Sequence, residues 1–102
     1  MKLSGSQRKH LRGLAHSYNP HVQVGKEGLS ESVFRALETA IEAHELIKVR
    51  IAADRDERKA SIPIIEERLS CECVGTIGRM VILFREHPDP EKRTIKVPEA
   101  RG

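Results

Sequence analysis

Residues 22–34 read VQVGKEGLSESVF, a strand, a turn and the start of a helix in succession. Val22 and Val24 alternate around Gln23 with the period of a strand, and a helical apolar pattern begins just after Ser30. Between them Gly25, Lys26, Glu27 and Gly28 form a GxxG step. Two glycines let the backbone turn through positive φ and approach a ligand with no Cβ in the way. The helix that follows presents free N–H groups and a positive dipole end at its start, which suits a phosphate. GxxG also occurs in plain strand-to-helix turns, so its meaning depends on its surroundings.

Those surroundings are basic. Glu27 is the first acidic residue of the chain; before it stand Lys2, Arg8, Lys9, Arg12 and Lys26, with His10, His16 and His21. The net charge is only +3, so the segregation of charge carries more information than its total. An RNA backbone is one fitting ligand for such a half-chain; a solvated helix face is the plain alternative.

Working outward, Ser4 and Gln7 make a capping box, and Leu11, Leu14 and Ala15 mark one stripe of a helix from Gly5 to about His16. Arg8, Arg12 and His16 recur at i, i+4 beside Lys9, which predicts an exposed basic side. Asn19 and Pro20 punctuate before a strand from His21 to Val24. The second helix has Ser30 as N-cap, Glu31 complementing the dipole and Leu29 stapling onto Phe34, with Val33, Phe34, Leu37, Ala40, Ile41 and His44 as its buried stripe. Ile47, Val49 and Ile51 then alternate with Lys48 and Arg50, a strand whose two cations project together. A charged turn, Asp54 to Lys59, leads to a third helix through Ile62, Ile64, Ile65 and Leu69, its start obscured by Pro63. Cys71–Thr76 and Arg79–Arg85 form a hairpin, the second strand a continuous apolar run. Gly75 and Gly78 make a second GxxG that lacks a following helix and reads as turn or bulge. The order is αβαβαββ, an α/β (α+β two-layer) fold in one domain over residues 1–87, followed by a polar tail, 88–102, bracketed by prolines.

At 102 residues, 38% apolar and 32% charged, the chain suits one domain with one core. No apolar run approaches the roughly 18 residues of a membrane span, and the start lacks a signal-peptide centre, so a cytoplasmic location is expected. Cys71 and Cys73 point the same way on a strand and cannot readily bridge each other; they are expected to be small core residues, with no metal site. His44 with Glu45, or His87 with Asp89, would offer acid and base, but neither pair has a nucleophile or metal spacing beside it, and no catalytic residue is assigned.

Several segments together resemble one family. LSGSQRKHLRGLAH (3–16), VQVGKEGLSESV (22–33), EAHELIKVRI (42–51), IGRMVILFR (77–85) and KRTIKVP (92–98) are similar to the CRM domain, the chloroplast RNA splicing and ribosome maturation module, in its stand-alone bacterial YhbY-type form. The resemblance implies two helices on a four-stranded mixed sheet with an extra N-terminal helix, and a GxxG loop at Gly25–Gly28. Pro63 and the acidic Glu27 depart from the family pattern. It further implies RNA binding without catalysis or cofactor, no membrane or small-molecule partner, and association with large-subunit ribosomal RNA or its precursor particle. The RNA-binding residues expected are Gly25, Lys26, Glu27 and Gly28 in the loop, Arg8, Lys9 and Arg12 on the first helix, and Lys48 and Arg50 on the second strand. With Tyr18, Phe34 and Phe84 the sole aromatics, and both Phe in core patterns, shape and phosphate recognition are expected over base readout. The rival reading is a protein-interaction module on the ribosome that uses the exposed faces of the second and third helices.

Overall fold

The computed structural model describes residues 2–99. Its elements run α1 (Gly5–Ala15), β1 (Val22–Val24), α2 (Glu31–His44), β2 (Leu46–Ile51), α3 (Arg55–Leu69), β3 (Glu72–Ile77) and β4 (Met80–Phe84), then a 3-10 turn, Pro90–Lys92. The strands form one mixed sheet in the order β1-β2-β4-β3, with β1 parallel to β2 and the other pairs antiparallel. A parallel pair cannot be joined by a tight turn, and α2 supplies the crossover.

Alternation along the strands divides the core. Ile47, Val49, Ile51, Val81 and Leu83 face α2 and α3, where they meet Phe34, Leu37, Ile41, Ile65 and Leu69. Leu46, Val74, Ile82 and Phe84 face the other way and pack under Leu11 and Ala15 of α1. Thus α2 and α3 with the sheet form the expected two-layer core, and α1 covers the opposite face. β4 is apolar throughout because it lies between two other strands and, from Val81 to Phe84, is buried on both faces.

The capping box at α1 is present, with Ser4 Oγ accepting from Gln7 N and Gln7 Oε1 accepting from Ser4 N. Ser30 caps α2 by accepting from Val33 N. His44, expected in the buried stripe of α2, is exposed; the helix ends there, and Glu45 is the residue that turns inward.

The segment read as a charged turn is the start of α3. Asp54 caps the helix by accepting from Glu57 N, Asp56 and Glu57 complement the dipole, and Pro63 lies inside the helix. The first turns of α3 are charged because they face solvent, and Pro63, itself exposed, has no N–H to donate to the Lys59 carbonyl one turn before it. The second GxxG has the geometry of a bulge and a turn. The β3–β4 register shifts between Cys73 and Gly75, and Gly78 takes φ +59° in the hairpin. A Cβ at Gly75 would collide with Arg12 Cδ, so the bare backbone there lets α1 seat against β3.

Cys71 and Cys73 are free, half-buried thiols packed against the α2–α3 side of the core. Burial, aided by the Glu66 carboxylate, pushes Cys71 up to about 12, and burial also raises Cys73. Neither carries thiolate character at neutral pH.

The segment after β4, expected as a polar tail, is docked on the body over its described part, to residue 99. Glu45 is 1% exposed, and its carboxylate accepts from the backbone N–H groups of His87 (2.7 Å), Thr94 (2.5 Å) and Ile95 (2.9 Å) and from the Thr94 hydroxyl (3.3 Å). Ile95 and Val97 pack against the α1-side core, and Gln7 Nε2 donates to the Pro98 carbonyl. Residues 87–98 thus form a strap across the α1 side. Burial alone would raise the Glu45 carboxyl, but its donors outweigh that and hold it below the ordinary carboxylate value.

Candidate nucleic-acid interface

The Gly25–Gly28 loop is a closed turn. Gly28 N donates to Gly25 O at 3.0 Å, and Lys26 and Glu27 stand exposed at its tip. Gly28 has φ +78°, whereas Gly25 does not adopt positive φ and has open space where a Cβ would stand. The need for glycine therefore rests on Gly28 alone, against the expectation for both. Leu29 and Ser30 separate the turn from α2, whose first turn already holds Glu31, paired with Arg68.

The base of this turn is tied to the end of β2, where Ala52 N donates to Val24 O (2.9 Å). The neighbouring Ile51 N donates to Arg79 O (3.0 Å) in the β3–β4 turn. One end of the sheet therefore gathers the GxxG turn, the hairpin tip and the start of α3. Lys26, Arg50, Arg55, Lys59 and Arg79 are exposed there, with Arg58 half-buried and donating to Ala53 O. Arg55, Arg58 and Lys59 line a cleft of about 330 Å³ with Ile62, Thr76 and Gly78. Reading 54–59 as a turn conceals that these α3 cations face the hairpin; the run of charge is visible in the sequence, its direction is not.

Other expected residues lie elsewhere. Arg8 pairs with Glu72 and donates to Cys73 O, and Arg12 Nη1 donates to Val74 O (2.8 Å), so both are half-buried in the seam between α1 and β3. Lys9 remains exposed on α1. Lys48 shares its sheet face with Arg50 but is 9% exposed, because its ammonium donates to His16 O (3.1 Å) at the end of α1. Sequence alternation gives a face, and does not tell which part of that face another helix covers.

A second polar cluster fixes the approach to β1. His21 Nδ1 accepts from Lys48 N (3.1 Å), and its ring lies 5.6 Å from Tyr18 and 4.8 Å from His44, centre to centre. Burial lowers the His21 pKa, and the charges of His44 and Lys48 lower it further. The folded state therefore binds this proton less readily than the unfolded chain. The His21 contribution is full above the unfolded value of 6.5 and is lost as pH falls through the lower folded value. Thermal unfolding from pH 7.5 to 5 should show Tm declining with acid, and a His21→Gln variant should flatten that decline. A wild-type Tm that rises over the same range would contradict the arrangement.

Among the described residues no group of three or more His, Cys, Asp or Glu is arranged to hold a metal, and no helix is long and apolar enough to cross a membrane. His44 and Glu45 do not form an acid–base pair, since the Glu45 carboxylate is occupied by backbone donors. His87 Nε2 contacts Glu42 (2.8 Å) and its Nδ1 accepts from Asp89 N (3.0 Å), a structural arrangement at the root of the strap.

Residues 3–85 match the family model of the CRS1 / YhbY (CRM) domain. The chain belongs to the CRM family. The match runs from the residue before the α1 cap to the residue after β4, so the strap lies beyond it. A Haemophilus influenzae protein named "RNA-binding protein" is 40% identical over 97 residues, covering 94% of this chain and 95% of that protein. The Pseudomonas aeruginosa protein named "Probable RNA-binding protein PA4753" is 34% identical over 103 residues, covering 100% of this chain and 99% of that protein. The solution structure of SAV1595 from Staphylococcus aureus shares the fold with a TM-score of 0.82 at 33% identity, covering 95% of this chain and all of that one. These CRM relatives bear names that describe binding and not catalysis; the cations of the site stand among the exposed carboxylates of Glu27, Asp54, Asp56 and Glu57.

Proposed function

We propose that this CRM-family chain is a non-enzymatic RNA-binding protein that holds the phosphate backbone at the GxxG end of its sheet, with ribosomal RNA of the large-subunit precursor as its target. The observation that supports the reading best is the convergence of the Gly25–Gly28 turn with Lys26, Arg50, Arg55, Arg58, Lys59 and Arg79 at one end of the sheet. Cations from the loop, β2, α3 and the hairpin meet there, and a backbone-tracking surface needs such a field and no acid–base machinery. The ribosomal target and a role in subunit assembly rest on the family resemblance, and on this reading the protein works in the cytoplasm.

A titration of protein-free ribosomal RNA across salt concentrations tests the binding directly. Lys26→Ala should leave Tm near wild type, because the side chain is exposed, and should reduce the slope of log K against log salt by about 0.7 to 0.9, the share of one phosphate that is no longer neutralised. An unchanged slope and affinity would remove Lys26 from the site. Cross-linking in cells followed by sequencing of the bound RNA should enrich large-subunit ribosomal sequences; binding to ribosomal particles with none to free RNA would favour a protein-docking module instead.

A further inference from the structure

Among the described residues, no layer covers one strip of the sheet. The cross-strand partners Gln23↔Arg50, Arg50↔Met80 and Met80↔Ile77 place four side chains in a single row across β1, β2, β4 and β3. Alternation assigns the row to the face under α1, since Val22, Val24, Val49, Ile51 and Val81 point into the opposite core. Yet α1 stops short of it. The next row inward holds Ile82, which is buried, Lys48, tied to His16 O, and Gly75, against Arg12. In the outer row Gln23 and Arg50 are exposed, Met80 is half-buried and Ile77 is 53% exposed.

We propose that this row receives the bases of an unpaired RNA segment whose backbone lies on the Gly25–Gly28 turn. The inference rests on the RNA-binding reading above and adds what part of the RNA is read. Three features select this occupant. The row is continuous with the turn, because Gln23 stands two residues before Gly25 and Met80 directly follows Arg79 in the hairpin. It contains a cation and no carboxylate, which suits a polyanion. Its chemistry is that of a base platform without aromatics: a guanidinium plane stacks on a base, flanking Met and Ile supply apolar contact, and the Gln amide offers both a donor and an acceptor to a base edge. A duplex keeps its base faces stacked inside the helix and cannot use such a surface. Aromatic counting misses the platform because its planar group is an arginine.

The test compares a fluorescent single-stranded RNA 12-mer with a hairpin duplex of the same composition, using the full chain, Arg50→Lys, Ile77→Ser and Lys26→Ala. Arg50→Lys keeps the charge and removes the plane, and Ile77→Ser alters an exposed side chain, so both variants should fold as wild type by circular dichroism. Wild type should prefer the single strand. Each platform variant should lose about tenfold in single-strand affinity with little change in salt slope, and Ile77→Ser, which lies outside the phosphate surface, should leave duplex binding unchanged. Lys26→Ala should instead reduce the slope for both RNAs. Duplex binding as tight as single-strand binding, or platform variants indistinguishable from wild type while Lys26→Ala is impaired, would overturn the platform and leave phosphate binding standing. Failure of wild type to bind either RNA would overturn both readings.

Discussion

Glu45→Ala should cost the protein about 2 to 4 kcal/mol. The substitution leaves the N–H groups of His87, Thr94 and Ile95 without their acceptor, and each buried donor left unpaired costs about 1 to 3 kcal/mol. The sum is capped because the strap can lift away and let water satisfy these groups, at the expense of the burial of Ile95 and Val97. For a domain of this size, about 1 kcal/mol corresponds to about 4 to 8 °C in Tm, so the loss should be plain in a thermal melt. Hydrogen exchange at Thr94 and Ile95 should accelerate while the β2 and β4 amides stay protected. Glu45→Gln keeps one acceptor oxygen and should fall between the two. Since the folded Glu45 pKa lies below the unfolded value of 4.5, the carboxylate contributes fully above that pH, and its contribution is lost as pH falls through the folded value. An Ala variant with wild-type Tm and protected strap amides would show that the carboxylate does not hold the strap.

The other large effect belongs to the turn. Gly28→Val forces a β-branched residue into φ +78°, a conformation costing roughly 1 to 2 kcal/mol for an ordinary L-residue and more for a branched one. The Gly28 N to Gly25 O bond should open and the loop lose its shape, so RNA affinity should fall by more than about tenfold, each factor of ten being about 1.4 kcal/mol. Gly25→Ala is the informative contrast. Its Cβ enters open space at ordinary φ, so the fold should be indifferent, and any loss of affinity would report RNA approaching that backbone within the reach of a methyl group. Equal affinity of Gly28→Val and wild type would detach the turn from binding.

Local chemistry is legible in the sequence, and assembly is not. The Ser4 and Ser30 caps, the α2 stripe of Phe34, Leu37 and Ile41, and the alternation of β2 each depend on neighbours within a turn or a strand, and all appear in the structure. The start of α3 is hidden because helical periodicity is read from apolar residues, and its first turns have none to bury. Lys48 reads like Arg50 along the strand; only the end of α1, 32 residues away in the chain, separates a buried ammonium from a free guanidinium. Arg8 and Arg12 read as a solvent face because their acceptors, carbonyls of β3, lie more than sixty residues downstream. Glu45 resembles a candidate general acid or base because sequence shows a carboxylate and hides the donors folded onto it.

The seam between α1 and β3 also bears on how copies of this protein meet one another. β3 lies at the border of the sheet and, among the described residues, pairs with β4 alone, and a bordering strand offers bare carbonyls and amides on which another chain can template itself. Arg8 and Arg12 place guanidinium groups on the Cys73 and Val74 carbonyls, and the bulge beside Gly75 breaks the flat run that strand pairing requires. The opposite border, β1, is only three residues long. Two arginines drawn from the basic N-terminal segment thus occupy carbonyls that edge-to-edge association would use.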